Sequence, residues 1–177
     1  GNFVPQIPNQ LIRRYTQEGN TVMELFSGGG TTLFECESLK RNYIGFDINK
    51  QIIKYVNDKM SDCTSIKYSI CDCDVTNEEE FVTCANKACK SQNIEKIDFI
   101  KMDIEGAEMK ALKGAEQTLI KFRPQLAISI YHSNNDMQDI PIYLHNILKN
   151  YIFKIGQYSP DNDETILYAI PEELYVK

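Results

Sequence analysis

The strongest constraint on the fold is the run Phe26-Ser27-Gly28-Gly29-Gly30-Thr31-Thr32. It lies between an apolar strand-like stretch, Thr21–Leu25, and a helix-like one, Thr31–Leu39. Three consecutive glycines let a backbone turn sharply and approach a ligand with no Cβ in the way. The helix that follows presents free amide groups at its start, which favour anionic groups. Asp47 ends the next strand-like stretch, Asn42–Asp47, nineteen residues after Gly28. A carboxylate in that position accepts hydrogen bonds from ribose hydroxyls. Glycine turn and acidic strand end together point to a nucleoside-bearing cofactor. The competing reading is a tight turn followed by a helix-capping aspartate.

The spacing narrows the cofactor. A dinucleotide fingerprint needs a third glycine where this chain has Leu33, and no Gly-Lys-Ser/Thr follows to make a phosphate loop. S-adenosylmethionine, which has no pyrophosphate to cradle, is the cofactor that remains.

Along the rest of the chain, short apolar runs alternate with longer runs of helical period. A short helix opens at Pro8. Helices are predicted at Lys50–Met60, at Asn77–Lys90 with an acidic first turn, from Gly106 through Lys121, and at Met137–Leu148. Strands are predicted at Ser65–Cys71, Lys96–Met102, Gln125–Tyr131, Tyr151–Ile155 and Thr165–Ile170. A turn-rich Ser159–Asp163 link separates the last two. This alternation predicts one α/β domain over residues 1–177, a doubly wound, mostly parallel seven-stranded sheet. The last two strands, with no helix between them, form an antiparallel edge. Ligands of such sheets sit at the carboxyl ends of the strands, here loops 26–31, 47–50, 72–76, 103–106 and 131–136.

Composition sets the remaining bounds. The 177 residues are one domain's worth and bury enough surface to fold without disulfides. The formal charge is −6, with seven basic and six acidic side chains in residues 1–60 and twelve and nineteen thereafter. Tight non-specific DNA binding is therefore disfavoured, with a local basic patch left open. No apolar run is long enough to span a bilayer and no leader pattern is visible. The six cysteines, at 36, 63, 71, 73, 84 and 89, lack C-x-x-C spacing and read as reduced thiols of a cytoplasmic protein, most of them core filler.

Two resemblances sharpen the reading. Residues 3–49, FVPQIPNQLIRRYTQEGNTVMELFSGGGTTLFECESLKRNYIGFDIN, resemble the cofactor half of the amino-methyltransferases that modify adenine or cytosine in DNA. The chain departs at Glu24 and Leu25, where that family has Asp-Pro; the resemblance implies that Glu24 reaches the cofactor's amino group. Residues 97–170 resemble the C-terminal half of the FkbM-type methyltransferases, through IDFIKMDIEGAEMKALKGA, RPQLAISIYH, Asp139-Ile140-Pro141 and ETILYA. Members of that family are mostly O-methyltransferases of small molecules, sugars or lipid-linked glycans. Both resemblances imply a Rossmann-like class I fold and S-adenosylmethionine, and the join falls near residues 50–65. The DNA enzymes carry an Asp/Asn/Ser-Pro-Pro-aromatic loop after the fourth strand; here that place reads Asp103-Ile104-Glu105-Gly106, and no room is left for a target-recognition domain.

The expected cofactor contacts are Glu24, Phe26, Ser27, Gly28, Gly30, Thr31, Thr32, Asp47, Ile48, Asp72 and Asp103, with Asp74 competing with Asp72 for the adenine amine. The expected catalytic groups are Asp103, Glu105 and His132. Asp103 and Glu105, two apart, point to one side of an extended chain. They bind the cofactor's amine, act as base toward a hydroxyl or hold a divalent metal; the alternative is a capping cluster with Glu108 in the helix's first turn. His132 ends the fifth strand and titrates near neutrality; the alternative is a histidine bonded to a neighbouring loop. No metal is assigned. Tyr131, Tyr158 and Tyr168 are pocket candidates, and His145 is read as structural or exposed. The expected acceptor is a small-molecule or glycan hydroxyl. The short segment before the first strand offers a small lid, which a partner chain would complete; oligomeric state is left open.

Overall fold

In a computed structural model, described over residues 5–133, 135–160 and 164–175, one seven-stranded sheet runs in the order β3-β2-β1-β4-β5-β7-β6. The strands are β1 (Thr21–Glu24), β2 (Asn42–Asp47), β3 (Tyr68–Asp72), β4 (Phe99–Met102), β5 (Gln125–Ser129), β6 (Tyr151–Gln157) and β7 (Thr165–Pro171). Phe3 and Val4 of the first resemblance and residues 161–163 of the turn-rich link lie outside the described residues. The first five strands pair in parallel. Every residue of β1 and β4 is buried, as strands covered on both faces must be.

The helices are α1 (Gln6–Tyr15), α2 (Thr31–Ser38), α3 (Lys50–Lys59), α4 (Glu78–Ser91), α5 (Glu108–Gly114), α6 (Glu116–Phe122) and α7 (Asp136–Ile147). One apolar cluster packs α4, α5 and α7 on one face of the sheet around Phe46, Phe81 and Ile128. The other packs α1, α2 and α3 on the opposite face around Leu33, Tyr43 and Phe99. Chain direction across the sheet reverses between β1 and β4, so the crevice opens over their carboxyl ends.

Three details differ from the periodicity. The helix expected through Lys121 is interrupted at Ala115 (φ −84°, ψ −3°). A side chain at the preceding Gly114 would meet the Val75 carbonyl at 2.7 Å, so close packing holds glycine there, the weakest helix former short of proline. The third and fourth strands begin at Tyr68 and Phe99, about one helical turn later than the apolar runs suggest. Finally, β7 inserts between β5 and β6, antiparallel to both. The near-continuous apolar run of β7 is buried while β6 exposes Lys154 and Ile155, so the more polar strand takes the edge.

Candidate active site

The glycine turn takes two left-handed residues, Gly28 (φ +48°) and Gly30 (φ +82°), and a Cβ at Gly30 would meet Val56 Cγ1 at 2.9 Å. The Gly28 N–H donates to Asp47 Oδ2 at 2.9 Å, and the Asn49 N–H donates to Asp47 Oδ1 at 2.8 Å. Asp47 therefore ties the turn to the end of β2. Helix capping falls to Asn49, whose side chain accepts from the Gln51 and Ile52 amides.

Beneath the turn lies a closed polar group. Glu24 is 2% exposed. It accepts from Thr32 Oγ1 at 2.6 Å, Tyr43 OH at 2.8 Å and Lys101 Nζ at 3.3 Å. Burial raises its carboxyl above the usual range, with Lys101 and the Thr32 and Tyr43 hydroxyls working against that rise. Burial, then the Glu24 charge, pushes the Tyr43 phenol up, so Tyr43 stays a donor. Its one proton goes to Glu24, which makes Ser27 Oγ the donor in the 2.9 Å bond between Ser27 and Tyr43. Gly45 makes room for this pair, since a Cβ there would collide with Ser27 Oγ and Tyr43 OH. The parallel register sets Glu24 beside both Gly45 and Lys101.

Above the turn opens a cavity of about 520 Å³. Its walls include Phe26, Ser27, Gly28, Thr31 and Thr32 from the first half of the chain. From the second half come Asp103, Glu105, Ser129 and the predicted tyrosines Tyr131, Tyr158 and Tyr168. Gln10 and Arg14 of α1 cover one side. Phe26 is also the wall of a shallower recess formed by Asp47, Ile48 and Asn49. Ile48 is 64% exposed there. Asp72 is exposed and pairs with Lys50 at 3.2 Å, while Asp74 accepts from the Thr76 amide and hydroxyl, which lower its carboxyl. Neither Asp72 nor Asp74 lines the cavity or the recess.

At the other end of the crevice, β4 stops at Met102, so the extended geometry expected for Asp103 and Glu105 does not hold. Glu105 (φ +55°) and Gly106 (φ +96°) turn the chain instead. Both carboxylates nonetheless face His132 Nε2, Asp103 Oδ1 at 3.4 Å and Glu105 Oε2 at 3.7 Å. Glu108 is fully buried. Its carboxylate holds the loop through the Ile104 and Gly106 amides and meets His132 Nδ1 at 2.7 Å. His132 lies beyond the end of β5, bonded to this helix start and behind the cavity wall. His145 is exposed, with its ring edge on Phe153.

The structure thus gathers Phe26, Ser27, Gly28, Thr31, Thr32, Asp103 and Glu105 around one cavity. Asp47 and Ile48 lie beside it, Glu24 and His132 lie behind it, and Asp72, the register neighbour of Asp47, borders the recess through Lys50. Sequence reasoning missed Lys101, Tyr43 and Arg14. A lysine inside the apolar run KIDFIKM was the available signal for Lys101. All six cysteines are unbridged, and Cys36, Cys73 and Cys89 are buried.

Comparison with known proteins agrees with both halves. Residues 3–58 match a DNA methylase family model and residues 77–155 match the methyltransferase FkbM domain. The type II methyltransferase M.MjaI of Methanocaldococcus jannaschii is 39% identical over 59 residues, 33% of this chain; the chain covers 20% of that protein's length. A crystal structure of an FkbM methyltransferase from Methylobacillus flagellatus superposes with a TM-score of 0.68 at 21% identity, over 85% of this chain and 43% of that one. Aeropyrum pernix fibrillarin, solved with natively bound S-adenosyl-L-methionine, superposes with a TM-score of 0.64 at 14% identity, over 93% of this chain and 74% of that one. The fold is that of the Rossmann-like class I methyltransferases. The matches to the two methyltransferase family models fall on either side of residues 59–76. No helix among the described residues is long and apolar enough to cross a membrane.

Proposed function

We propose that this domain is an S-adenosylmethionine-dependent methyltransferase that methylates a hydroxyl of a small molecule or sugar. The observation that carries the reading is the single cavity joining the glycine turn to Asp103 and Glu105. Its volume, about 520 Å³, is that of a small-molecule site. The residues suit the cofactor. Bare backbone at Gly28 and Gly29, which line the cavity, lets it approach closely. The Asp47 oxygens keep lone pairs for ribose hydroxyls beyond their bonds to Gly28 and Asn49. Exposed Ile48 and Phe26 offer apolar faces beside it. When bound, the cofactor supplies an electrophilic methyl on a sulfonium. Transfer then needs an unprotonated nucleophile held in line with that methyl. Asp103 and Glu105 meet the acceptor hydroxyl, which loses its proton to a free carboxylate oxygen of this pair. Glu24 contributes by shaping the floor through Thr32 and Tyr43.

A second reading, methylation of an amino group in DNA, draws on the match of residues 3–58 to the DNA methylases. The Asp103-Ile104-Glu105-Gly106 loop lacks that chemistry's tetrapeptide, and the −6 charge opposes a phosphate backbone. Calorimetry with S-adenosylmethionine and NAD, followed by transfer of a labelled methyl to a hydroxyl panel and a DNA duplex, separates the readings. Hydroxyl labelling is expected. Label entering DNA alone, with a shift in a low-salt gel, selects the second reading. NAD binding without S-adenosylmethionine binding overturns both. Cofactor binding with no product from any acceptor marks a non-catalytic module.

A further inference from the structure

We propose that His132 Nε2, Asp103 Oδ1 and Glu105 Oε2 form a divalent-cation site at the acceptor end of the cavity, with Glu108 holding the imidazole in place. Glu108 is wholly buried and its carboxylate accepts from two backbone amides, Ile104 at 3.0 Å and Gly106 at 2.9 Å. A carboxylate so engaged is an acceptor, so the proton shared with His132 at 2.7 Å sits on Nδ1. Nε2 then turns a lone pair toward Asp103 and Glu105. The His132 side chain is 8% exposed, and neither Nε2 nor Asp103 Oδ1 finds a hydrogen-bond partner among the described residues.

A buried lone pair facing carboxylate oxygens repels them unless a positive charge lies between. A direct charge-assisted hydrogen bond here would be about 2.7–2.9 Å long. The spacings are instead 3.4 Å and 3.7 Å. Metal–ligand bonds of about 2.0–2.2 Å hold tetrahedral ligand atoms about 3.4 Å apart. The imidazole whose other nitrogen donates to a carboxylate is the usual support of a metal-binding histidine. Asp136, 7% exposed, also keeps an unpartnered Oδ2 and lies outside the group of close ligand atoms. Asp103, Glu108 and His132 each bring a ligand atom within 4.8 Å of the other two; Glu105 lies outside that group, and its exposed side chain swings in to complete the set. One nitrogen and two oxygens suit a first-row divalent ion such as Mn²⁺, Fe²⁺ or Zn²⁺ better than Mg²⁺ or Ca²⁺. Asp103 and Glu105 also line the cavity, so the site adjoins it, with His132 behind the wall. Use of the cation to polarise an acceptor oxygen rests on the methyl-transfer reading; binding of the cation does not.

Titration of the purified chain with Mn²⁺ alone, followed through the electron paramagnetic resonance signal of the free ion, tests the site. One Mn²⁺ per chain is expected. Glu105→Gln, at a side chain 78% exposed, keeps the fold and weakens binding at least about tenfold, Asp103→Asn and His132→Gln weaken it further, and Glu108→Gln weakens it about 10–100-fold through the imidazole. Circular dichroism checks that each variant is folded. No saturable Mn²⁺ binding, or wild-type affinity in folded Glu105→Gln and Asp103→Asn, overturns the site. Calorimetry with S-adenosylmethionine in metal-free buffer keeps the two proposals apart. A chain that takes the cofactor but no Mn²⁺ loses only the cation site; one that takes Mn²⁺ but no cofactor loses only the methyltransferase reading.

Discussion

Two buried polar groups flank the same crevice, and their hydrogen-bond accounts differ. Under the glycine turn, Glu24 is matched by Thr32, Tyr43 and Lys101, and Ser27 completes the chain of bonds. After β4, Glu108 is equally well matched, but Asp103 Oδ1, His132 Nε2 and Asp136 Oδ2 are buried with no hydrogen-bond partner among the described residues. A satisfied buried network holds a shape, whereas unpaired buried polar atoms cost stability and persist where something else occupies them. The first group is therefore built to support the turn, and the methyl-transfer and cation proposals assign the chemistry to the second; the sequence reading places Glu24 with the cofactor contacts.

The contrast predicts opposite responses to substitution. The largest effect is expected at Lys101→Met, which strands Glu24 in the core and costs about 3–5 kcal/mol in urea unfolding. The double change Glu24→Gln with Lys101→Met recovers most of that loss; an unchanged midpoint in the single variant would place Glu24 outside the scaffold. Tyr43→Phe comes next, at about 1–3 kcal/mol, because one hydroxyl serves both Glu24 and Ser27. On the other side, Asp103→Asn removes charge from a crowded acidic site, so thermal unfolding stays within about 1 kcal/mol of wild type or improves while ligand binding falls. A loss as large as that of Lys101→Met would erase the distinction between the two groups.

The smallest effect is expected away from both. The Arg123 guanidinium holds the Glu173 carboxyl below its usual range, across a 3.1 Å surface pair. A depressed carboxyl stabilises the fold above the ordinary glutamate range and loses that contribution as pH falls through its folded value. Glu173→Gln therefore costs less than about 1 kcal/mol at neutral pH, and its unfolding curve merges with that of wild type on acidification.

Much of the fold was legible because the signals were local. Apolar alternation marked all seven strands, and the helix-free link between β6 and β7 marked the antiparallel edge. The insertion of β7 beside β5 was not legible, since strand order depends on which faces remain to be covered. Within the site, Gly28, Phe26, Asp103 and Glu105 were readable from their place at strand ends. Glu108 was readable only as a first-turn residue, because its contact with His132 joins positions twenty-four apart in sequence. Lys101 was hidden for the same reason, its partner Glu24 lying seventy-seven residues away.

The sequence by itself determined the α/β class, the glycine turn with its left-handed residues, and the loops where a ligand can sit. These follow from periodicity and from backbone freedom, which neighbours in the chain settle among themselves. Only the tertiary structure decided which carboxylates are satisfied and which are not. That is a matter of distance between elements, and in a low-dielectric interior a few tenths of an ångström separate a structural bond from an open site.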